Sequence, residues 1–156
     1  MRLRPELGVN EGQGRGIWSE PGLKVGVGAG VMFGVAQILV ARATAGEHYW
    51  LYPVQWLGYL FVAQIAAESK YRAQQGELDA LAGVRLAGTG AGMVSSLIVW
   101  VMLMGAWLGF DLLPQQGVVF SPGFFFVAVI VDVGLAIGIG THGGAMVVDK
   151  HRNFLD

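Results

Sequence analysis

The sequence predicts an all-α fold, an integral membrane bundle of four transmembrane helices, and three observations carry this prediction. Hydrophobic residues make up 54% of the 156 residues and charged residues only 13%, unlike the usual balance of soluble domains. The apolar residues fall into four long segments separated by shorter polar stretches. If each segment crosses the membrane once, all Lys and Arg residues except Arg42 fall on the same side of it. Because basic residues near span ends favour the cytoplasmic face, both termini are predicted to be cytoplasmic.

The first apolar segment, from about 22 to 41, follows a polar and glycine-rich stretch, 1–21, which is predicted to be cytoplasmic. A helix of about 20 residues spans about 30 Å, enough to cross the hydrocarbon core. A cleavable signal peptide is the alternative, because Ala41-Arg42-Ala43 resembles a cleavage site with small flanking residues. The length of such a leader and its three glutamates favour a retained helix.

The second segment is predicted to run from about 50 to 67. Tyr and Trp residues at its outer end are typical of an anchor at the headgroup level. Pro53 falls in the first turn, where its missing N–H costs little. The polar residues from Glu68 onward predict an inner loop that leads to the third segment.

The third and fourth segments, about 83–108 and 123–148, complete a transmembrane domain that covers 22–148. The remaining residues, 149–156, are predicted to form a cytoplasmic tail. Small-residue patterns shared by the first and third segments, and by the second and fourth, suggest a duplicated two-helix hairpin. Chance similarity among glycine-rich helices is the alternative interpretation.

Small residues recur at four-residue spacing in three of the segments. Residues four apart share one helix face, and small residues on that face let another backbone approach closely. We therefore expect these faces to pack the four helices together, and at least one to dock onto another membrane subunit. The predicted helix-packing residues are Gly26, Gly30, Gly34, Gly88, Gly92, Ser96, Gly134 and Gly138.

Asp132 is the one carboxylate deep within a span, and it falls near the predicted bilayer midplane. A charged group is costly there, so an intramembrane carboxylate is a candidate functional residue. Ser95 and Ser96 of the third segment lie at about the same depth. The favoured interpretation is a neutral, protonated Asp132 that hydrogen-bonds to a serine or a carbonyl and fixes helix register. A proton- or cation-binding role is the alternative.

His142 lies among small residues, in the stretch 140–144, toward the inner end of the fourth segment. Small neighbours would let a flat macrocycle approach, so His142 is a candidate axial ligand for a haem or a chlorophyll. No second histidine lies at a matching depth. An interfacial histidine that contacts a lipid phosphate is the favoured alternative, and no other cofactor is expected.

Several function classes find no support in the sequence. There is no cysteine, which excludes disulfides, thiol chemistry and thiolate metal sites, and no other metal-binding motif is present. A net charge of −1 argues against binding to nucleic acid. No phosphate-binding loop, metalloprotease motif or nucleophile elbow is present. We therefore expect neither an enzyme nor a protein that binds a soluble small-molecule substrate.

The middle third of the chain resembles a family of small bacterial four-helix membrane proteins of unknown function. The likeness rests on the stretch 68–72, Glu-Ser-Lys-Tyr-Arg, followed by a short polar loop and the glycine-bearing stretch 82–88. In that family a Tyr-Arg pair closes the second helix. The resemblance implies a four-helix membrane fold and supplies no activity.

The sequence thus favours a non-catalytic accessory or stabilising subunit of a larger bacterial membrane complex, with a bioenergetic complex as the expected type, in the inner membrane. Its expected partners are the lipid bilayer and other membrane subunits. A small homo-oligomeric transporter or channel that uses Asp132 is one alternative, although no string of titratable groups accompanies this residue. A subunit that binds a pigment or haem through His142 is another.

Overall fold

The computed structural model describes residues 20–44, 50–74, 80–109 and 122–152, and almost all of them are helical. The predicted all-α fold with four helices is confirmed. A π-helical turn, Gly105–Gly109, continues the third helix directly. The four helices are α1 (Pro21–Ala43), α2 (Leu51–Ala73), α3 (Ala80–Met104) and α4 (Pro122–Arg152).

The helices extend beyond the apolar segments that predicted them. α2 continues through Glu68, where an inner loop was predicted, and α4 continues to Arg152, so the tail does not begin at 149. Backbone hydrogen bonds do not stop where apolar side chains end. Basic residues in the last turns of both helices also favour helix, because they complement the negative end of the helix dipole.

Three helical stretches of the described residues are long and apolar enough to cross a membrane, consistent with a membrane protein. They are Pro21–Ala43, Gly83–Gly109 and Gly123–Arg152. α2 has sufficient length, but its mean hydropathy is lower because it carries glutamines, tyrosines and a tryptophan and ends in charged residues.

α3 lies at the centre of the bundle and packs against each of the other three helices. Its contacts with α1 rise together in residue number, from Gly22 beside Ala87 to Gly34 beside Met102, so α1 and α3 run parallel. The hydrogen bonds between α2 and α4 rise in the same way. Contacts between α3 and α4 run in opposite directions, from Gly88 beside Gly140 to Gly92 beside Ala136, so each helix is antiparallel to the next along the chain, as the sequence predicts.

Glycine allows α1 to approach the backbone of α3 closely. A Cβ atom on Gly26 would lie 2.8 Å from the carbonyl oxygen of Ala91, and one on Gly30 would lie 2.8 Å from that of Ser95. The close approach also lets the Ser95 hydroxyl donate a hydrogen bond to the Gly26 carbonyl oxygen, at 3.0 Å. Ser95 therefore bonds to α1 rather than to Asp132.

α3 approaches α4 in the same way, through Gly88 and Gly92. A Cβ atom on Gly88 would lie 2.8 Å from the carbonyl oxygen of Gly140. At the next residue of each helix, Thr89 and Thr141 share a hydrogen bond of 2.9 Å. The predicted packing role of Gly26, Gly30, Gly88 and Gly92 thus matches their positions, as does that of Gly34 beside Met102.

Gly134 and Gly138 do not pack against another helix among the described parts of this chain, contrary to the prediction. A Cβ atom on either would meet no atom within 4 Å, and both residues are exposed. α4 packs through Gly140 instead, and Gly140 lies six residues beyond Gly134. Six residues of helix correspond to a rotation of about 240°, so the two sets of glycines face different directions.

Candidate functional site: a buried carboxylate held by four donors

Asp132 lies in the interior of the bundle, where only 2% of its surface is exposed. Four side chains from two other helices donate hydrogen bonds to its carboxylate. Oδ1 accepts one from Trp56 Nε1 at 2.8 Å. Oδ2 accepts three: from Ser96 Oγ at 2.6 Å, from Tyr59 Oη at 3.0 Å and from Trp100 Nε1 at 3.0 Å.

Helical spacing brings these donors together. Trp56 and Tyr59 are three residues apart on α2, and Ser96 and Trp100 are four apart on α3, so each pair shares one face of its helix. Both faces turn toward Asp132 on α4. The predicted proximity of Ser96 to Asp132 is thereby confirmed, and the other three donors were not predicted.

Aromatic packing orients the indole of Trp100. The ring of Phe125 on α4 meets it edge-on, with centroids 5.1 Å apart, and Tyr52 on α2 stacks on it at 6.1 Å. Such edge-to-face and offset arrangements are the favoured geometries for aromatic pairs. These contacts hold the indole N–H toward Asp132, so aromatic packing by itself positions this donor.

The polar network continues from Asp132 to α1. Gln55 Nε2 donates to Tyr59 Oη, and Gln37 Nε2 donates to Gln55 Oε1. Gln37, Gln55 and Tyr59 are all buried. Every bond in this series points its proton toward Asp132, and residues from all four helices take part. The carboxylate is therefore the common acceptor of a network that ties the whole bundle together.

This donor set requires both oxygens of Asp132 to accept hydrogen bonds, and the neutral state that the sequence favours stays a prediction. Trp56 and Trp100 can only donate, and each faces a different oxygen of Asp132. The four hydrogen bonds stabilise and orient the Asp132 side chain, of which only 2% is exposed.

Sequence reasoning missed the donors because tryptophan and tyrosine near helix ends also serve as interface anchors. The available signal was spacing: Trp56 follows Gln55 and precedes Tyr59 by three residues, which places polar tips on one side of α2. Trp100 stands four residues after Ser96, the serine already assigned to the depth of Asp132. Only the rotation of each helix decides whether these tips point inward or outward.

His142 lies on the outer surface of the bundle, away from Asp132. Its side chain is exposed and makes no hydrogen bond with the described residues. It borders an apolar groove of about 570 Å³ between α2 and α4, beside Gly138, Trp56 and Leu60. An imidazole on an apolar surface is therefore available to a ligand or to a second protein.

A second cluster of polar side chains joins the inner ends of α2 and α4. The Glu68 carboxylate lies 3.0 Å from His151 Nε2, and the imidazole of His151 stacks on Tyr71 with centroids 3.7 Å apart. Lys150 and Arg72 lie on either side of Glu68. The hydrogen bond with His151 lowers the pKa of Glu68 below its ordinary value of 4.5, and nearby positive charges add to this against the opposing effect of burial.

Among the described residues there is no group of three or more His, Asp or Glu side chains that could hold a metal ion. The protein is an all-α bundle of apolar helices in which three helices contact one buried carboxylate, Asp132, directly or through its donors. Comparison with protein families, with curated proteins and with solved structures finds no match to this chain. The resemblance in its middle third therefore stays a prediction.

Proposed function

We propose that this protein is a non-catalytic accessory subunit of a larger membrane complex, and that α4 provides the docking surface. The observation that carries the proposal is the position of Gly134 and Gly138. The other glycines predicted to pack lie between helices of the chain, whereas these two leave an open notch on the outer surface of α4. Small residues four apart on an exposed apolar helix are suited to close approach by another transmembrane helix.

The surroundings of the notch support the proposal. Val127, Ile130 and Val131 lie on the same side of α4 as Gly134 and are exposed. Lipid chains alone could cover these apolar side chains. A partner helix would in addition fill the notch and could offer a polar group to the exposed imidazole of His142 nearby, which lipid chains cannot do.

The proposal includes α2 as a fourth membrane span. The polar side chains that lower its hydropathy, Gln55 and Tyr59, are buried against the other helices. Its outer face is apolar instead: the exposed fractions of four outward residues lie between 57% and 63%. A surface of this kind is costly in water and favourable in lipid. The four residues are Val54, Leu57, Phe61 and Ile65.

Placed with the basic ends of the helices inside, both termini are cytoplasmic and the bundle lies in the bacterial inner membrane. A bioenergetic complex is the proposed type of assembly, because small, non-catalytic helical subunits are typical of such complexes.

The enclosed carboxylate supports a structural role over the alternative of transport. A transport site exchanges its ligand with water on both sides, whereas Asp132 is 2% exposed and accepts four bonds from the chain itself. Flux measurements on proteoliposomes of the wild-type protein test this. Proton or cation flux above that of empty vesicles would favour the transporter.

Co-purification tests the subunit proposal directly. The tagged chain is extracted from its native membrane in mild detergent, and its partners are quantified by mass spectrometry. Gly138→Leu fills the notch without a clash inside the described bundle, because nothing lies within 4 Å of an added Cβ. Gly28→Leu is the matched control, since Gly28 is equally exposed and open but lies on α1.

The expected result is a stoichiometric membrane partner that co-purifies with the wild type and with Gly28→Leu, but is lost from Gly138→Leu. A wild-type chain that purifies alone would contradict the proposal. Equal loss from both variants would show that the notch on α4 is not the docking surface.

A second candidate function is the binding of a haem or chlorophyll through His142. The observation that favours it is the exposed imidazole at the edge of the apolar groove of about 570 Å³. Histidine is a common axial ligand of such macrocycles. An absorbance spectrum of the natively purified protein tests it: a Soret band that disappears in His142→Phe would support the role, and a spectrum of aromatic residues alone would exclude it.

A further inference from the structure

A groove of about 630 Å³ opens at the inner end of the seam between α2 and α4, near the Glu68–His151 cluster. Its upper part, nearest the ends of the two helices, is lined by polar and charged side chains. Its lower part, nearer the middle of the bundle, is lined mainly by apolar side chains. It continues the side of the bundle on which α2 and α4 meet, and it is separate from Asp132. The groove is lined by Gln64, Ile65, Ser69, Arg72, Met146 and Lys150, among others.

The upper part of this groove has two cations that are available to an anion. Arg72 and Lys150 are exposed over 72% and 60% of their side chains. Each contacts Glu68 only loosely, at 3.5 Å and 4.0 Å, and exposed pairs of this kind contribute little. Glu68 makes its shortest contact with His151, at 3.0 Å. The mouth of the groove therefore carries two cations, Arg72 and Lys150, and one carboxylate, so positive charge is in excess there.

The lower part of the groove runs along the seam in register with both helices. On α2 its wall passes from Arg72 to Glu68 and then to Gln64, and on α4 it passes from Lys150 to Met146. These positions are four residues apart, so they follow one face of each helix. The eight residues from Arg72 to Gln64 correspond to about 12 Å of helix, a length that accommodates a headgroup and the first part of an acyl chain.

We propose that this groove binds the headgroup and one acyl chain of an anionic phospholipid. The phosphate lies between Arg72 and Lys150, with the Ser69 hydroxyl at the same level, and the chain lies against Ile65 and Met146. Basic pockets between transmembrane helices at the cytoplasmic side are suited to anionic headgroups. The inference rests on the proposed placement of α2 as a membrane span.

The combination of charge and shape favours a lipid over free phosphate. Inorganic phosphate would use only the two cations, which lie in water at the groove mouth, and would leave the apolar wall uncovered. A phospholipid covers both parts and is already present at this depth of the membrane. Among lipids, an anionic headgroup is favoured because the two cations outnumber the one carboxylate, Glu68, at the groove mouth, and Oε2 of Glu68 already contacts His151.

Native mass spectrometry of the full-length protein in detergent tests the proposal. Phosphatidylglycerol, phosphatidylethanolamine and phosphatidylcholine are titrated separately, and inorganic phosphate is added as a competitor. The double variant Arg72→Gln/Lys150→Gln removes both cations. Arg152→Gln is the matched control, because Arg152 is an exposed basic residue at the same end of α4 but outside the groove.

The wild type is expected to bind phosphatidylglycerol most tightly, with little competition from phosphate. A cation near the headgroup contributes about fivefold in affinity, so the double variant should bind about 25-fold more weakly. The control should stay within about twofold of the wild type. Unchanged elution in size-exclusion chromatography would establish that the variants are folded.

Three results would overturn the proposal: equal binding of all three lipids, unchanged binding by the double variant, or an equal loss in Arg152→Gln. Displacement by millimolar phosphate would point to a free-phosphate site instead. These measurements use the isolated chain, so they do not depend on a partner. Failure here would leave the co-purification result intact, and failure of co-purification would leave lipid binding measurable.

Discussion

Replacing Asp132 with Asn tests whether the buried carboxylate holds the bundle together. The two side chains have nearly the same size, so the change alters hydrogen bonding and charge but not packing. Asn offers one oxygen and one NH2 group in place of two accepting oxygens. Each oxygen of Asp132 accepts from an indole, Trp56 on one side and Trp100 on the other. An indole N–H cannot accept, so either orientation of Asn leaves one indole facing a donor.

The expected cost follows from that count. A buried donor without a partner costs about 1–3 kcal/mol. The hydroxyls of Tyr59 and Ser96 can rotate to accept, so they reduce the penalty where the NH2 group faces them. Because three of the four donors contact Oδ2, the introduced asparagine retains most bonds when its oxygen takes that position and its NH2 group faces Trp56. We expect Asp132→Asn to lower the free energy of unfolding by about 1–3 kcal/mol.

A double-mutant cycle with Trp56→Phe isolates this effect. Trp56→Phe alone leaves Oδ1 of Asp132 without its partner, which costs about 1–3 kcal/mol. In the Asp132→Asn background, Trp56→Phe instead removes the indole N–H that faces the NH2 group of the asparagine. The double variant should therefore be more stable than the sum of the two single changes predicts. The same cycle with Trp100→Phe is the control and should show weaker coupling.

Reversible unfolding in mixed micelles, followed by circular dichroism as sodium dodecyl sulfate is added, provides the free energies. Wild-type stability in Asp132→Asn would refute the reasoning, because no orphaned donor would then exist. Strict additivity in the Trp56 cycle would refute the hydrogen bond assigned between Trp56 and Asp132. The contribution of Asp132 to stability would still be measured by the single variant.

Three further predictions concern packing, pH and topology. Gly26→Val should lower the melting temperature in detergent, because the α3 backbone lies 2.8 Å from an added Cβ and overpacking costs about 1–3 kcal/mol, whereas Gly28→Val, which meets nothing within 4 Å, should not. Equal shifts would contradict the close contact between α1 and α3. Because the imidazole that hydrogen-bonds to Glu68 lowers its folded pKa below 4.5, its contribution to stability should be present above pH 4.5 and be lost as the pH falls through the lowered value. Glu68→Gln should therefore flatten the acid limb of a stability–pH curve, and an unchanged limb would assign it to other groups. Since the chain has no cysteine, single cysteines report topology cleanly: in intact cells an impermeant maleimide should label Arg42→Cys but not Arg152→Cys, and the opposite pattern would invert the proposed orientation.

Much of the architecture follows from linear patterns in the chain. The four apolar segments predict the four helices. Five of the glycines predicted to pack lie against neighbouring helices as their spacing suggests: Gly26, Gly30, Gly34, Gly88 and Gly92. These features depend on local hydropathy and on residues that share one helix face. Helix ends were predicted less well, since α2 and α4 continue into polar sequence without a change in backbone hydrogen bonding.

The functional residues were predicted only in part. Asp132 and Ser96 were paired by depth, a one-dimensional quantity that the sequence supplies. Trp56 and Trp100 were not recognised as donors, because the direction in which an indole points depends on how its helix is rotated. The same rotation explains Gly134 and Gly138, whose spacing is that of a packing face although they lie on the outer surface.

The sequence by itself determined that this chain forms long apolar helices, where each begins in broad terms, and that a carboxylate lies in the middle of one. Composition and periodicity suffice for these properties because they are local. Only the tertiary structure decided which side of each helix faces inward, and with it the four donors to Asp132, the open notch on α4 and the basic groove at the α2–α4 seam. Those features depend on helix rotation and register, which arise from packing between segments distant in the chain and leave no signature in any one of them.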